Sequence, residues 1–486
     1  MVFSSLHFIF AFLPICMALY YACRSIKAKN IILLAFSLFF YAWGEPVYVG
    51  LLLFMSLCDW AAAILIDKTE SAVKRKLLLI TACTINIGLI GIFKYTGFVL
   101  TNIQNIFGIP KIIPEILLPI GISFYTFQLL SYVVDVYRKE VPAQKNFFWL
   151  LLYASLFHQC IAGPIVRYKD VEYEILNRRV KEQEIVEGIS RFTTGLAKKV
   201  LIANTCGSLS DKLLVADSLI ASAPTEALAE LSSRSVSGLW LGVLFYMLQI
   251  YLDFSAYSDM AIGMGLMIGF HFKENFDYPY TAKSVTDFWR RWHISLSTFF
   301  RDYVYIPLGG NRKGTLKTYR NLLVVWFLTG LWHGASWNFV LWGLFFFVFL
   351  VIEKLGLLKI LDKIPAFFSR AYLLVVVYFG WILFRFSSFS YIPVILKGMF
   401  GQNENPLIDF ETKTLFIGNI FFIIVAIIAV TPLVKKIADK MKACTDNKAI
   451  KIIYTLLSIV VPLVLLFLSS IALVGDAYNP FLYFQF

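Results

Sequence analysis

Apolar runs near the length of a bilayer span recur from one end of this 486-residue chain to the other. Crossing a hydrocarbon core takes about 20 consecutive apolar residues. Only 15% of the residues are charged, against roughly 25% in soluble globular proteins. Length alone would suit two or three soluble domains. Because the runs cover the whole chain, they point instead to a single integral-membrane domain over residues 1–486. The expected fold is all-α, with roughly ten to twelve transmembrane or re-entrant helices and amphipathic helices at the interface.

The net charge is +13. In a soluble protein that balance would raise nucleic acid as a partner; in a membrane protein, Lys and Arg collect in cytoplasmic loops, so no nucleic-acid role follows. Arg24, Lys27 and Lys29 close the first run, and Lys68, Lys74, Arg75 and Lys76 follow the third. Both loops are cytoplasmic if the N-terminus is outside. The acidic loop at 402–411 then lies outside, the lysine-rich loop at 435–451 inside and the C-terminus outside. No basic residue precedes the first apolar run, so it reads as a permanent span rather than a cleaved signal peptide. The seven cysteines form no CxxC pair and read as small buried residues, not as a metal or disulfide framework.

Several segments depart from simple spans. Residues 95–114 are mixed and read as interfacial. In 116–137, the Ser, Thr, Gln and Asp residues are costly in lipid and should face protein or a wet cavity. Residues 147–166 carry basic flanks on both sides, so either they re-enter or the charge rule fails locally. Gly163-Pro164 supplies the irregular backbone that re-entry needs. RFTTGLAKKVLIAN, at 191–204, reads as a surface or interfacial amphipathic helix. The run at 240–270 is interrupted by YLDFSAYSDMAIGMG, where Asp253 and Asp259 read either as a proton relay or as structural caps. Charge does not fix the topology between Cys160 and Tyr280.

The chemistry concentrates in a core stretch at 278–338, which holds two of the five histidines. On a helix over 289–303, Trp289, Trp292, Leu296, Phe299, Phe300 and Tyr303 share one arc of roughly 120°. Arg290, Arg291 and Arg301 lie opposite, towards headgroups or water. His293 sits at the edge of the aromatic arc; it either caps the apolar face or serves a reaction. The arginines are lipid anchors or ligands for a substrate phosphate. His333 lies in WHGASWN, between two apolar runs. It is either an interhelical hydrogen bonder at a packing turn or a neutral imidazole able to take a proton from an attacking hydroxyl. There is no GxxxxGK[ST] loop, HExxH or GxSxG, and the histidines are too dispersed for a metal site.

The run DFWRRWHISLSTFFRDYVYIPLGGNRKG followed by LTGLWHGASWNFVLWG resembles the membrane-bound O-acyltransferase superfamily, and within it the bacterial alginate O-acetyltransferase-like branch. MVFSSLHFIFAFLPI, LPIGISFYTFQLLSYVVDVYR, IAGPIVRY, GLAKKVLIAN, YLDFSAYSDMAIGMGLMIGF and GWILFRF extend the resemblance over nearly the whole chain. It implies a ring of helices around a funnel-shaped centre in the bacterial inner membrane. It also implies acetyl transfer from a cytoplasmic thioester, acetyl-CoA, towards hydroxyls of an exported polysaccharide by way of an extracytoplasmic partner protein. No tightly bound cofactor is implied. His333 matches the family's invariant histidine and is expected to be the general base. His293 is expected to support it; the reverse assignment stays open. Arg290, Arg291, Arg312 and Lys313 are expected to face the cytoplasm and draw in the anionic donor. D-alanyl transfer to a cell-wall polymer is the alternative, as is a non-catalytic transporter or scaffold of an export complex.

Overall fold

The computed structural model describes residues 2–108, 116–161, 163–386, 388–444 and 447–475. Among them the regular structure is helical, with no strands. The interfacial reading of 95–114 falls partly outside the described residues, as does the extracytoplasmic placement of the C-terminus. The part of 95–114 that is described is helical to Phe107, continuous with the preceding span as Ala72–Phe107.

Among the described residues, six helices are both long and apolar enough to cross a bilayer, and seven if the bent pair Phe410–Gly418 and Ile420–Ala429 is one span. The other expected segments form shorter helices, among them Ile122–Tyr137 and Phe147–Ser155. Lys448–Gly475 shows why lipid is needed. Only 6% of its apolar 18-residue window is buried, and with 28 residues at about 1.5 Å each it is longer than the roughly 30 Å hydrocarbon core. Apolar surface of that extent is not left to water. The chain is a multi-pass membrane protein.

The backbone groups into two compact units. The first comprises Met1–Phe192 and Tyr257–Asn275, the second Thr193–Ala256 and Phe276–Phe486.

Polar groups in the first unit turn inward, as their cost in lipid requires. Thr126, Gln128, Ser131 and Asp135 on Ile122–Tyr137 are fully buried. Buried Asp59 accepts from the Asn86 amide at 2.8 and 3.0 Å. Phe147–Ser155 bends into Phe157–Cys160, and buried backbone without regular structure follows at 163–167. Gly163 is left-handed there, φ +107°, where a side chain would also press on the Tyr257 ring. Asp259 pairs with Arg191 at 3.0 Å.

Six helices matter for the site: α1 (Val236–Ile268), α2 (Val285–Arg291), α3 (Ile294–Phe300), α4 (Thr315–His333), α5 (Trp337–Ile352) and α6 (Ala366–Arg385). Four expectations are corrected here. The interruption around Asp253 and Asp259 is no break, since α1 runs through it for 33 residues. Its polar groups are absorbed by partners instead: Asp253 pairs with Lys199 at 2.7 Å, both side chains 3% exposed. Nor is the expected surface helix simply at the surface: within 193–204 Thr194 is exposed and Lys198, Leu201 and Ile202 are partly buried, but Thr193, Leu196, Lys199 and Asn204 are buried. The cysteines are not uniformly buried: Cys444 is exposed, and Cys23, Cys58 and Cys83 are half-buried. The fourth correction is the break at His293.

α4 and α5 form a tight hairpin. A Cβ at Gly330 would lie 2.3 Å from the Phe339 carbonyl oxygen, and one at Gly343 would lie 2.3 Å from that of Trp326. Only glycine lets the two backbones approach this closely.

Candidate active site

The single helix expected over 289–303 is broken in two. Ser284 caps α2, its hydroxyl accepting from the Asp287 N–H at 3.0 Å. α2 stops where Trp292 becomes extended (φ −97°, ψ 126°) and His293 turns left-handed (φ +44°, ψ 55°). Histidine enters the left-handed region more readily than most residues, yet the conformation remains costly. Aromatic packing holds it. Trp292 is buried, with its ring centroid 5.1 Å from Phe276 and 5.0 Å from Trp381. The chain restarts at once, as Ser297 N–H donates to the His293 carbonyl at 3.0 Å to open α3.

His293 is 1% exposed. The Phe254 ring meets it edge-on at 4.8 Å, and the Ser295 hydroxyl lies 3.4 Å from Nδ1. Burial lowers its pKa to about 3, because a charged imidazole loses its hydration there. The ring is neutral at physiological pH.

His333 is the last residue of α4, where the chain leaves the helix through extended Gly334 and re-enters one at Trp337. Trp342 and Phe384 meet its ring edge-on at 4.9 and 5.1 Å. Trp332 links the two histidines: its centroid is 5.9 Å from the His293 ring and 4.9 Å from the His333 ring. The sequence separates these histidines by forty residues; the fold sets both in the wall of one cavity of about 230 Å³. That volume is below the roughly 300–1,000 Å³ of common ligand pockets, so it suits a small reacting group. Trp289 also lines it, and the buried indole N–H of Trp289 has no hydrogen-bond partner among the described residues.

The four basic residues expected to meet a donor part company. Arg290 lines the cavity. Arg291 lines a separate cleft of about 860 Å³, where it pairs with Asp287 at 3.0 Å and Asp277 at 3.7 Å. Arg312 and Lys313 lie on the exposed turn before α4 and line neither. The cleft also presents Lys283, Arg370, Lys436 and Tyr278. Lys283 and Lys436 were not singled out in the sequence, being indistinguishable from other loop lysines. Among the described residues no group of three His, Cys, Asp or Glu side chains is placed to hold a metal ion.

Two histidines on one small cavity, lined in part by aromatic rings, can exchange protons with a hydroxyl that enters it. The comparisons with known proteins agree with that chemistry. The family model described as MBOAT, membrane-bound O-acyltransferase family, matches residues 48–392. The chain is 38% identical to the probable alginate O-acetylase AlgI of Pseudomonas putida, covering all of both chains. It is 40% identical to that of Pseudomonas aeruginosa, over 79% of this chain and 72% of the relative. It is 34% identical to the peptidoglycan O-acetyltransferase of Helicobacter pylori, over 83% and 80%. The cavity shared by His293 and His333 therefore lies in a membrane O-acyltransferase, and the chain belongs to the membrane-bound O-acyltransferase family.

Proposed function

We propose that the chain moves an acetyl group from acetyl-CoA on the cytoplasmic side of the bacterial inner membrane towards hydroxyls of an exported polysaccharide, by way of an extracytoplasmic partner protein. The observation that carries this reading is the single cavity on which both histidines open. The names of the alginate and peptidoglycan O-acetylating relatives supply the acyl group and the class of acceptor.

A thioester already has a good leaving group, so the site must activate the acceptor hydroxyl and stabilise the developing oxyanion. His333 takes the hydroxyl proton as the new C–O bond forms at the thioester carbonyl. The C–S bond then breaks, and the proton passes to the departing thiolate. His293, neutral and fixed by its turn, orients the acceptor or donates to the oxyanion; the unpartnered indole N–H of Trp289 is a second available donor.

The anionic nucleotide end of the donor suits the cleft beside α2. Lys283, Arg370 and Lys436 line it and have no acidic partner within salt-bridge distance among the described residues. Asp287 and Arg291 line the cleft, while Trp289, Arg290 and His293 line the cavity. A helix about 10–12 Å across therefore separates the two, and the pantetheine arm of a CoA thioester is longer than that. The lysine-rich segment that contributes Lys436 is cytoplasmic by the charge rule.

The test is transfer in proteoliposomes supplied with acetyl-labelled CoA outside and the cognate partner inside, with the protein oriented cytoplasmic face out. Label appearing on partner or glycan supports the proposal. No transfer and no donor binding favours a transporter or scaffold. Transfer only from a D-alanyl thioester moves the chain to cell-wall polymer alanylation.

A further inference from the structure

Glu353 lies just past the apolar helix α5, immediately before Lys354, and is 1% exposed. A buried carboxylate is costly unless its oxygens are satisfied. Four donors converge on this one. The backbone N–H groups of Val285 and Thr286 lie at 2.6 and 2.8 Å, the Thr286 hydroxyl at 2.6 Å and the Tyr372 hydroxyl at 3.3 Å. No lysine or arginine pairs with it among the described residues. Each carboxyl oxygen accepts from two of them; an amide would turn its own N–H₂ towards some of these donors.

Val285 and Thr286 open α2, whose first N–H groups have no partner within the helix. At seven residues α2 makes few internal hydrogen bonds and depends on tertiary anchors. Glu353 anchors its first end. Its side is held by Trp289, packed 5.5 Å from Trp342 and 4.9 Å from Phe346, both on α5. Its last residue is Arg291, one position before Trp292 and two before His293. α5 begins four residues past His333, and Glu353 directly follows its last residue. One helix thus fixes both histidines: His333 through the hairpin at its start and His293 through the carboxylate at its end.

We infer that Glu353 is a positioning residue for acyl transfer, setting His293 relative to His333 through the N-terminus of α2. This rests on the reading of the two-histidine cavity as the transfer site. Misplacing a reacting group by about 1 Å costs on the order of 10²-fold. Glu353→Gln should therefore lower kcat by roughly 10- to 100-fold while the donor KM stays near wild type. Because the effect passes through His293, Glu353→Gln combined with His293→Ala should be no slower than His293→Ala alone. Groups acting as a unit give such overlapping losses.

If Glu353→Gln fails to fold, Tyr372→Phe removes one of the four bonds and enters the same cycle, with a several-fold loss expected that again vanishes in the His293→Ala background. A slow His293→Ala whose loss multiplies with that of Glu353→Gln or Tyr372→Phe overturns this inference alone. Wild-type kcat in Glu353→Gln does the same. His293→Ala at the wild-type rate overturns the reading of the site and this inference with it.

Discussion

The two histidines of the cavity stand at two breaks of opposite construction. At the first, His293 itself adopts the left-handed backbone, so one residue supplies both the turn and the imidazole. At the second, the work is divided. His333 keeps helical geometry, Gly334 and Ser336 make the exit, and Gly330 and Gly343 let α4 and α5 close on each other. Substituting His333 should thus remove chemistry and spare the backbone, whereas substituting His293 changes both. The hairpin glycines should behave as the inverse of His333, affecting fold without touching chemistry.

The largest effect expected is on transfer by His333→Ala. Loss of a positioned general base costs about 10²–10⁴ in rate, so acetylation should fall to the limit of detection. Expression, monodispersity in detergent and donor binding should stay near normal, and His333→Gln serves as the gentler replacement. Near-wild-type turnover would make His333 a packing residue and erase the contrast.

Gly330→Ala sharpens the contrast from the other side. Its Cβ meets a backbone carbonyl rather than a flexible side chain, so the hairpin must shift. Overpacking of this kind costs about 1–3 kcal/mol, which should appear as a lower melting temperature in detergent. An unchanged melting temperature would mean the hairpin is looser than the structure indicates.

At His293 the expected sequence is graded. Asn tolerates the left-handed region and Val does not. His293→Asn should keep the wild-type melting temperature and lose activity, whereas His293→Val should lose both, with a stability cost of about 1–3 kcal/mol. Equal stability for the two would show that the turn is not held by this residue.

The smallest effect is on pH dependence. The folded His293 value is depressed to about 3, so the ring does not titrate in the physiological range. His293→Gln should lower the rate without moving the acid limb of kcat/KM. The linked stability has a definite sign. A neutral buried imidazole contributes fully above the unfolded value of about 6.5; that contribution is lost as pH falls from there towards the folded value. A displaced acid limb in His293→Gln would show that this ring titrates.

Much of the site was legible because its chemistry is local in sequence. WHGASWN announces a histidine at a break between apolar runs, and that is how α4 and α5 are arranged. The break at His293 was not legible. Residues 289–303 keep an unbroken helical arc, and the turn is imposed by the packing of Trp292 on Phe276 and Trp381, which lie far from each other in sequence. The polar run in α1 misled in the opposite direction. YLDFSAYSDMAIGMG looks like an interruption because the sequence does not reveal that Lys199 meets Asp253. Glu353 had a signal, a lone acid at the end of an apolar stretch, but its meaning lies in donors about seventy residues upstream.

The central claim is that His293 and His333 act at one site, with His333 as the base. The most direct measurement is a double-mutant cycle on transfer rate in oriented proteoliposomes, using His333→Gln, His293→Asn and their combination. Overlapping losses are predicted: the double variant should be about as slow as His333→Gln alone, because a supporting group has nothing left to support. Losses that multiply, each histidine costing the same whether or not the other is present, would contradict a shared site.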